Sequence, residues 1–217
     1  MAERLAFRGP DATQIWTSLG AGFCFTLLCT GLSPQADSQP LSLDGRIWLL
    51  GEVRLDDREG LLRKLEQLGE KISVDATNEE LVLRAWRQWA EKRFEALIGD
   101  FAFAIWDAQA RQLWCVRDLF GTRPFFYAHA GGQIVFSNTL EAVRVAPVVS
   151  AKLDLHFIGD SLLQSWCPDA ERTAFRDIRR LPAGLIARAA VERFPHLFRV
   201  QDDAFRRVSL LADKFSR

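Results

Sequence analysis

The sequence has 217 residues, 28 basic and 28 acidic side chains, and a hydrophobic fraction of 48%. A chain of this size and composition can bury one substantial core. The two signs of charge are mixed along the chain, which argues against a nucleic-acid or anionic-membrane partner because such partners require a basic stripe. The longest uncharged stretch, residues 12–36, has an apolar centre too short to span a bilayer.

The cysteines and histidines set further limits. The four cysteines are widely scattered, and neither they nor the three histidines have the spacing of zinc ligands, so no metal site is expected. The N-terminus lacks the pattern of an export signal. The protein is therefore predicted to be cytoplasmic, with free thiols rather than a disulfide framework.

The first part of the chain is predicted to be mostly extended. It opens without a strand and turns at Arg8-Gly-Pro-Asp11, whose charged side chains can hold neighbouring backbone. Strands are predicted at 14–18, 22–28 and 46–54, with a loop over 33–43. Gly51 interrupts the third strand, where a glycine allows a ligand to approach the backbone closely.

Two helices are predicted next. Asp56 or Asp57 caps the first, which runs to about Leu68, and Thr77 begins a capping box for the second, over residues 78–97. A short strand is predicted between them at 72–74. The tryptophans of the second helix are interpreted as core residues.

Residues 99–138 are predicted to form an antiparallel meander. Its first strand alternates Phe or Ile on one side with Ala or Trp on the other, and a polar turn over 107–112 leads into the return strand. In the next loop Gly121 can take a left-handed conformation, and Pro124 sets the entry of the following strand. Gly131-Gly132 then closes a second hairpin between strands at 125–128 and 133–137.

The last part of the chain is predicted to mix short helices with one strand. Helices are expected at 139–145 and, capped by Asp154, at 155–166, followed by a loop at Cys167. A basic turn over 176–184 precedes a strand at 185–191. Beyond Arg193 the pattern weakens, although 202–217 is compatible with an amphipathic helix.

Taken in order, these segments resemble the N-terminal glutaminase domain of asparagine-synthetase-like enzymes, the class II glutamine amidotransferases. The matching motifs are RGPD at 8–11, GDFAFAIWD at 99–107, RDLFGTRPFFY at 117–127 and LPAG at 181–184. The resemblance covers roughly residues 5–192. It implies an α+β fold, an N-terminal-nucleophile four-layer α/β/β/α sandwich of two antiparallel sheets, over residues 1–192. Residues 193–217 are then a weakly patterned tail or the start of a linker.

The resemblance also implies which residues build the domain and which are absent. A structural role is implied for the motif residues Arg8, Gly9, Pro10, Asp11, Arg117, Asp118, Gly121, Arg123 and Pro124. In the family the Arg-Gly-Pro-Asp motif lies some tens of residues into the domain, so the segment with the first strand and the nucleophile is expected to be missing. A lost strand exposes a sheet edge, and poor solubility of the isolated chain is expected.

Glutamine hydrolysis in this family uses an N-terminal cysteine with its own α-amino group as base, and an Asn side chain with a backbone N–H for the oxyanion. Here Met1 is followed by Ala2, and Leu50 takes the Asn position of the family's Asn-Gly-Glu, with Gly51 and Glu52 retained. Leucine cannot donate a hydrogen bond to an oxyanion. No catalytic residue is therefore expected in this chain.

The substrate contacts implied by the family are also altered. Asn78 replaces the Asp that would hold the substrate ammonium group, and no basic residue lies between Arg8 and Arg46 to clamp its carboxylate. Leu50, Gly51, Glu52 and Asn78 are thus expected to be the remaining positions of a substrate pocket.

A different cysteine is not expected to replace the missing nucleophile. Cys24 and Cys115 lie in apolar strands and are predicted to be inert small hydrophobes, and Cys167 on its loop is predicted to be the most exposed.

Three hypotheses follow. The first is a catalytically degenerate glutaminase-like domain that packs against a synthetase domain or a homologous subunit. ATP and magnesium would belong to that absent domain, whose Ser-Gly-Gly-x-Asp-Ser loop this sequence lacks. The second is an active amidotransferase with a mis-assigned start, for which glutamine would be a ligand. The third is a stand-alone binding module on the same fold.

Overall fold

The computed structural model describes residues 1–18, 20–29, 39–89, 97–190 and 198–200. The helix predicted over 202–217 lies outside these residues, as do positions 33–38 of the predicted loop and 90–96 of the second predicted helix. The helices are α1 (Ala2–Leu5), α2 (Arg58–Gln67), α3 (Asn78–Trp89), α4 (Leu140–Arg144) and α5 (Leu155–Gln164). The strands are β1 (Ala12–Ser18), β2 (Ala21–Leu27), β3 (Leu41–Ser42), β4 (Ile47–Leu55), β5 (Gly99–Asp107), β6 (Gln112–Arg117), β7 (Phe126–Ala130), β8 (Gln133–Ser137), β9 (Ile178–Arg180), β10 (Ile186–Ala190) and β11 (Phe198–Val200).

The strands form three antiparallel sheets. The largest has six strands in the order β11-β10-β6-β5-β4-β3, and the others are the β1-β2 hairpin and the three-stranded sheet β8-β7-β9. Ala130 pairs with Gln133 across Gly131-Gly132, and both glycines have positive φ, as predicted for this hairpin. The meander predicted over 99–138 is therefore confirmed, but it is divided between two sheets.

The alternation in β5 explains why the molecule has layers. Phe101, Phe103 and Ile105 pack in one core with the buried leucines of α2 and α3. Ala102, Ala104 and Trp106 face the opposite core, which they share with residues of β2 and β7. Because successive residues of a strand point to opposite faces, one strand serves both cores.

A third core completes the architecture. Ala128 of β7 and Ile178 of β9 pack against Val143 of α4 on the outer face of the small sheet. The layers are therefore α2 with α3, the six-stranded sheet, the two smaller sheets, and α4. This confirms the predicted α/β/β/α sandwich.

The predicted side chains cap both helices, with one choice resolved, but Glu80 of the predicted capping box accepts from Arg84. Asp57 rather than Asp56 caps α2, its carboxylate accepting from the Gly60 N–H at 3.0 Å. The Thr77 hydroxyl accepts from the Glu80 N–H at 3.2 Å at the start of α3. These side chains satisfy N–H groups that have no partner within the helix.

Three local predictions were wrong. Residues 72–74 form no strand, although Ile72 packs against the helical core. The basic turn over 176–184 contains β9, and the predicted loop over 33–43 contains β3. Both short strands depend on a partner distant in sequence, because β9 pairs with β7 and β3 with β4.

Among the described residues, no helix has both the length and the apolar character needed to cross a lipid bilayer.

Candidate functional site

A cleft of about 1320 Å³ lies between β4 of the large sheet and the strands β2 and β8 of the smaller sheets. Three of the four predicted pocket positions line it, Leu50, Gly51 and Glu52. Its other lining residues include apolar side chains of the core between the sheets, Phe23, Trp106, Phe125 and Phe136.

Gly51 is required by the packing of its own sheet. Its φ is +154°, and a Cβ there would lie 2.4 Å from the Ala102 carbonyl oxygen and 2.4 Å from the Phe103 Cα. The sequence suggested a close approach of a ligand at this glycine, but the group that requires a glycine here is the backbone of β5. Any larger residue would force β4 and β5 apart.

The side chain of Gln39 closes the ladder beside Gly51. Its Nε2 donates to the Gly51 carbonyl at 2.9 Å, and the Gly51 N–H donates to its Oε1 at 2.8 Å. Leu41 pairs with Leu49, so the antiparallel register brings Gln39 next to Gly51. Sequence reasoning placed Gln39 in a loop and missed this contact, because a lone glutamine before a proline has no periodicity that predicts a partner.

Glu52 lies in a polar cluster on the cleft wall. Its Oε2 accepts from Arg123 Nη1 at 3.0 Å and its Oε1 from Asn138 Nδ2 at 2.7 Å. Arg123 was predicted as a motif residue of the meander loop, and Asn138 was not singled out at all. The two are 71 and 86 positions from Glu52 along the chain, so only the fold brings them together.

Asn78, the fourth predicted pocket position, is not part of the cleft lining. Its Nδ2 donates to the Val53 carbonyl at 3.2 Å, and its Oδ1 accepts from Arg58 Nη1 at 3.0 Å. The amide thus ties the start of α3 to β4 and to α2. These contacts occupy both of its polar atoms with protein groups.

The motif residues Arg117 and Asp118 organise a buried corner, made of residues 117–124 and 181–184. Arg117 donates to the carbonyls of Arg123 at 2.6 Å, Leu181 at 2.5 Å and Gly121 at 2.6 Å. Burial lowers the pKa of the Arg117 guanidinium, and the neighbouring Asp118 carboxylate opposes that shift. The guanidinium therefore joins the two matching motifs RDLFGTRPFFY and LPAG.

Asp118 supplies the acceptors of this Arg117–Asp118 corner. It is fully buried, and its Oδ1 accepts from the N–H groups of Phe120 and Thr122, both at 3.0 Å. Its Oδ2 accepts from the Arg123 N–H at 3.2 Å, and its carbonyl accepts from the Gly184 N–H at 2.7 Å. A carboxylate with this many donors holds the loop in one conformation.

Two further loop residues complete the corner. Gly121 has a φ of +63°, as predicted, and a Cβ there would lie 3.0 Å from both Arg117 Cζ and Ala183 Cβ. Pro124 is the last residue of this loop in the corner, and it also lines the cleft. The loop therefore joins the buried corner to the cleft wall.

The RGPD turn packs on β2. A Cβ at Gly9 would lie 2.3 Å from the Thr26 carbonyl carbon, and Pro10 forms a bridge with Leu27. The Asp11 carboxylate accepts from the Cys29 N–H at 2.7 Å, as expected for a side chain that holds neighbouring backbone. Arg8 is exposed at the rim of the cleft.

Two cysteine thiols have a shifted pKa, and neither shift makes the thiol a better nucleophile. Cys115 is buried and Cys24 is half-buried in the cleft wall, and burial raises the pKa of both thiols. A raised pKa lowers the thiolate fraction at neutral pH. Cys29 is exposed and Cys167 only half-exposed, so the prediction that Cys167 is the most exposed was wrong.

The layered fold, the Leu-Gly-Glu segment on the cleft and the Arg117–Asp118 corner are arranged as the resemblance to an amidotransferase domain predicts. The chain belongs to the glutamine amidotransferase domain family, which it matches over residues 1–196. This confirms the resemblance to the glutaminase domain of asparagine-synthetase-like proteins.

Several curated proteins to which the chain is similar are named asparagine synthetases. Glutamine-hydrolysing asparagine synthetase 3 of Bacillus subtilis (strain 168) is 27% identical over 157 residues, which are 71% of this chain and 25% of that protein. Asparagine synthetase 1 of the same organism is 29% identical over 147 residues, 67% of this chain and 23% of that protein. The chain thus spans about a quarter of the length of these relatives.

A solved structure supports the fold. The glutamine phosphoribosylpyrophosphate amidotransferase of B. subtilis is similar with a TM-score of 0.51 at 15% sequence identity, covering 80% of this chain and 35% of that one. At this identity the similarity concerns the fold alone.

Proposed function

We propose that this chain is a glutaminase-like domain of an asparagine-synthetase-related protein that has lost glutamine hydrolysis. In this proposal it serves as the structural partner of an ATP-dependent, amide-forming synthetase domain, and ATP and magnesium bind in that partner. The observation that carries the partner role is the exposed apolar surface of α5.

This α5 surface consists of Leu155, Leu162 and Leu163 of the helix and Trp166 just beyond its end, which are 77%, 80%, 86% and 60% exposed. The helix is well started, because the Asp154 carboxylate accepts from the N–H groups of His156 and Phe157 at 3.0 and 3.1 Å. None of its residues is buried. A formed helix with large apolar side chains in water is typical of an interaction surface.

The length of the relatives supports the nature of the partner. Asparagine synthetase 3 of B. subtilis matches this chain over 25% of its length, so about three quarters of that protein lies outside the match. A protein of that length has room for a second domain against which this surface can pack. Interfaces within such proteins bury apolar residues of this kind.

The cleft supports the loss of hydrolysis. The Leu50 side chain has no hydrogen-bond donor to stabilise an oxyanion, and the Asn78 side chain is held by Arg58 and Val53. Cys24, which does line the cleft, has a raised pKa and is poorly suited to attack an amide. The cleft therefore lacks several of the groups that glutamine hydrolysis requires.

An ammonia-release assay tests the loss of hydrolysis. The purified chain is incubated with L-glutamine, with B. subtilis asparagine synthetase 3 as the positive control, and we expect no ammonia above the buffer background. Turnover by the chain that disappears in Cys24→Ala would overturn this part of the proposal and support an active amidotransferase.

A binding assay tests the partner role. The probe is the synthetase domain encoded in or beside the same gene, identified by its Ser-Gly-Gly-x-Asp-Ser loop. We expect the full chain to bind it, and the double variant Leu162→Glu/Leu163→Glu to weaken binding at least about tenfold. Val74→Glu is the matched control, since Val74 is 85% exposed but lies between α2 and α3. Equal effects of both variants, or no binding at all, would contradict a role of α5.

A further inference from the structure

The strands β2 and β8 each have a second edge that is not paired with another described strand. Among the described strands, β2 pairs with β1 alone and β8 with β7 alone. An open strand edge carries a row of backbone N–H and C=O groups that lack ladder partners. One strand from each of the two smaller sheets therefore borders the same cleft with an open edge available.

The two strands line the cleft with their edges rather than with one face. Every residue of β2 and every residue of β8 contributes to the cleft lining. In β8, Ile134 and Phe136 pack in the core between the sheets, whereas Val135 packs in the outer core with α4. Side chains of both faces reach one cavity only when that cavity runs along the strand edge. This part of the cleft is therefore a slot between the open edges of β2 and β8.

The slot has the dimensions of one β-strand. Neighbouring strands lie about 4.8 Å apart, stacked sheets about 10 Å apart, and each residue rises about 3.4 Å, so one inserted residue occupies about 160 Å³. A cleft of about 1320 Å³ therefore holds about eight residues of one strand. The neighbouring strand β2 has seven residues. The volume thus fits one additional strand about as long as β2.

Both faces of a strand in the slot would be covered by apolar groups. On the inner side the lining includes Leu50, Trp106 and Leu113 of the large sheet. On the outer side it includes Met1 and Leu5, and their helix α1 contacts both β2 and α4. Strands that are buried on both faces have nearly continuous apolar sequences. The occupant is therefore expected to be uncharged along its middle.

The aromatic side chains of the slot limit the size of the inward-facing residues. The rings of Phe23 in β2 and Phe136 in β8 lie 6.1 Å apart, centroid to centroid, and both belong to the core between the sheets. They leave space for only a glycine or alanine side chain beneath the inserted strand. Glu52 is bonded to Asn138, directly after β8, so its charge lies at one end of the slot. Polar residues are therefore tolerated at the ends of the occupant.

We propose that the slot is a docking site for one β-strand of another polypeptide, which pairs with β2 on one side and with β8 on the other. The docked strand is about eight residues long, with small side chains facing inward and β-branched side chains facing outward. Its backbone ladder supplies affinity, and the spaces for alternate side chains supply specificity. This interface is distinct from the α5 surface and requires no catalysis.

Peptide binding to the full 217-residue chain tests the proposal. The probe is the labelled peptide acetyl-Lys-Val-Ala-Val-Gly-Val-Ala-Val-Lys-amide, and fluorescence anisotropy measures its dissociation constant. One control peptide is N-methylated on all Val residues and another on the Ala and Gly residues. Because the N–H groups of successive residues point to opposite edges, each control loses the donors of one edge. We expect both controls to bind at least about tenfold more weakly than the probe.

The pattern across the three peptides distinguishes a slot from other modes of binding. Weaker binding of only one control would show that the peptide adds to a single edge, and it would overturn the proposal. Equal binding of all three peptides would show apolar contact without a ladder, with the same consequence. Absence of probe binding would also overturn it, unlike slower hydrogen exchange of the β2 and β8 amides on peptide addition, which we expect.

A pair of protein variants locates the peptide. Cys24 lines the slot and is half-buried, so Cys24→Glu places a charge where the docked strand would desolvate it, and binding should weaken at least about tenfold. Thr17→Glu is the matched control, because Thr17 is exposed in β1 and lies outside the cleft lining. Equal effects of the two variants would contradict docking beside β2. The peptide series on the unmodified chain decides the proposal even if Cys24→Glu fails to fold.

Sedimentation of the unmodified chain tests a second copy as the occupant. We expect a monomer that binds one peptide. A dimer that does not bind the peptide would show that a second copy fills the slot, and it would overturn the proposal. None of these measurements involves the α5 surface or glutamine hydrolysis, so this proposal and the proposed function fail separately.

Discussion

The Arg117–Asp118 corner and the Leu50–Glu52 segment both lie in family motifs, yet their polar groups are used differently. In the corner, the Arg117 guanidinium donates to three backbone carbonyls, and the Asp118 carboxylate accepts from three backbone N–H groups. In the cleft, the position to which the resemblance assigns a polar amide is occupied by Leu50, whose side chain can form no hydrogen bond. Side chains that bond backbone groups of the fold are retained, because their loss would leave desolvated groups without a partner. Side chains that contact only a ligand can change once the protein no longer binds that ligand.

The largest effect is expected in the corner, from Asp118→Ala. This change leaves three partly buried N–H groups without their acceptor, and it removes the buried carboxylate beside the Arg117 charge. We expect the free energy of unfolding in urea to fall by about 3–5 kcal/mol.

The matched control for this prediction is Asp56→Ala. Asp56 forms an exposed ion pair with Arg54 at 3.2 Å, and its loss should cost less than about 1 kcal/mol. Similar losses for the two variants would show that the corner does not depend on its buried carboxylate.

An intermediate loss of stability is expected from Gly51→Ala. This variant tests whether the close packing of β4 against β5 beside the cleft requires a glycine at this position. Because the new methyl group would lie 2.4 Å from β5 atoms, we expect unfolding free energy to fall by about 2–4 kcal/mol. Gly132→Ala is the control, since Gly132 also has a positive φ, +71°, but no atom lies within 4 Å of the added carbon. Its expected cost is about 1 kcal/mol. Thermal unfolding of both variants measures the two losses of stability. Equal losses would contradict the close approach of β5 to Gly51.

The smallest effect is expected from Glu52→Gln in the cleft. The Glu52 and Arg123 side chains are 33% and 40% exposed, so their ion pair is screened by water and its loss should cost less than about 1 kcal/mol. Urea unfolding measures it beside Asp118→Ala. A loss as large as that of Asp118→Ala would remove the contrast between cleft and corner.

Much of the fold was predictable because it follows local patterns. The alternation in β5 showed that it separates two cores, and the Gly131-Gly132 pair showed the hairpin. Both are period-two or turn signals that a strand carries in its own residues. The strands β3 and β9 were missed because two or three residues carry no period, and their pairing is decided by β4 and β7.

The candidate site was predicted only in part. The Leu-Gly-Glu segment was found by its resemblance to a family motif, and all three residues do line the cleft. Gln39 and Asn138 were missed because each contacts its partner through the fold. Glu52 and Asn138, for example, are 86 positions apart.

The sequence by itself, through its resemblance to a known family, predicted the layered amidotransferase fold, and its periodicity predicted the meander at the centre of that fold. Only the tertiary structure decided what those side chains do. It showed that Asn78 is held outside the cleft, that Gln39 pairs with Gly51, and that α5 exposes its apolar residues. Hydrogen bonds and exposure depend on groups that meet in space, and no local pattern records them.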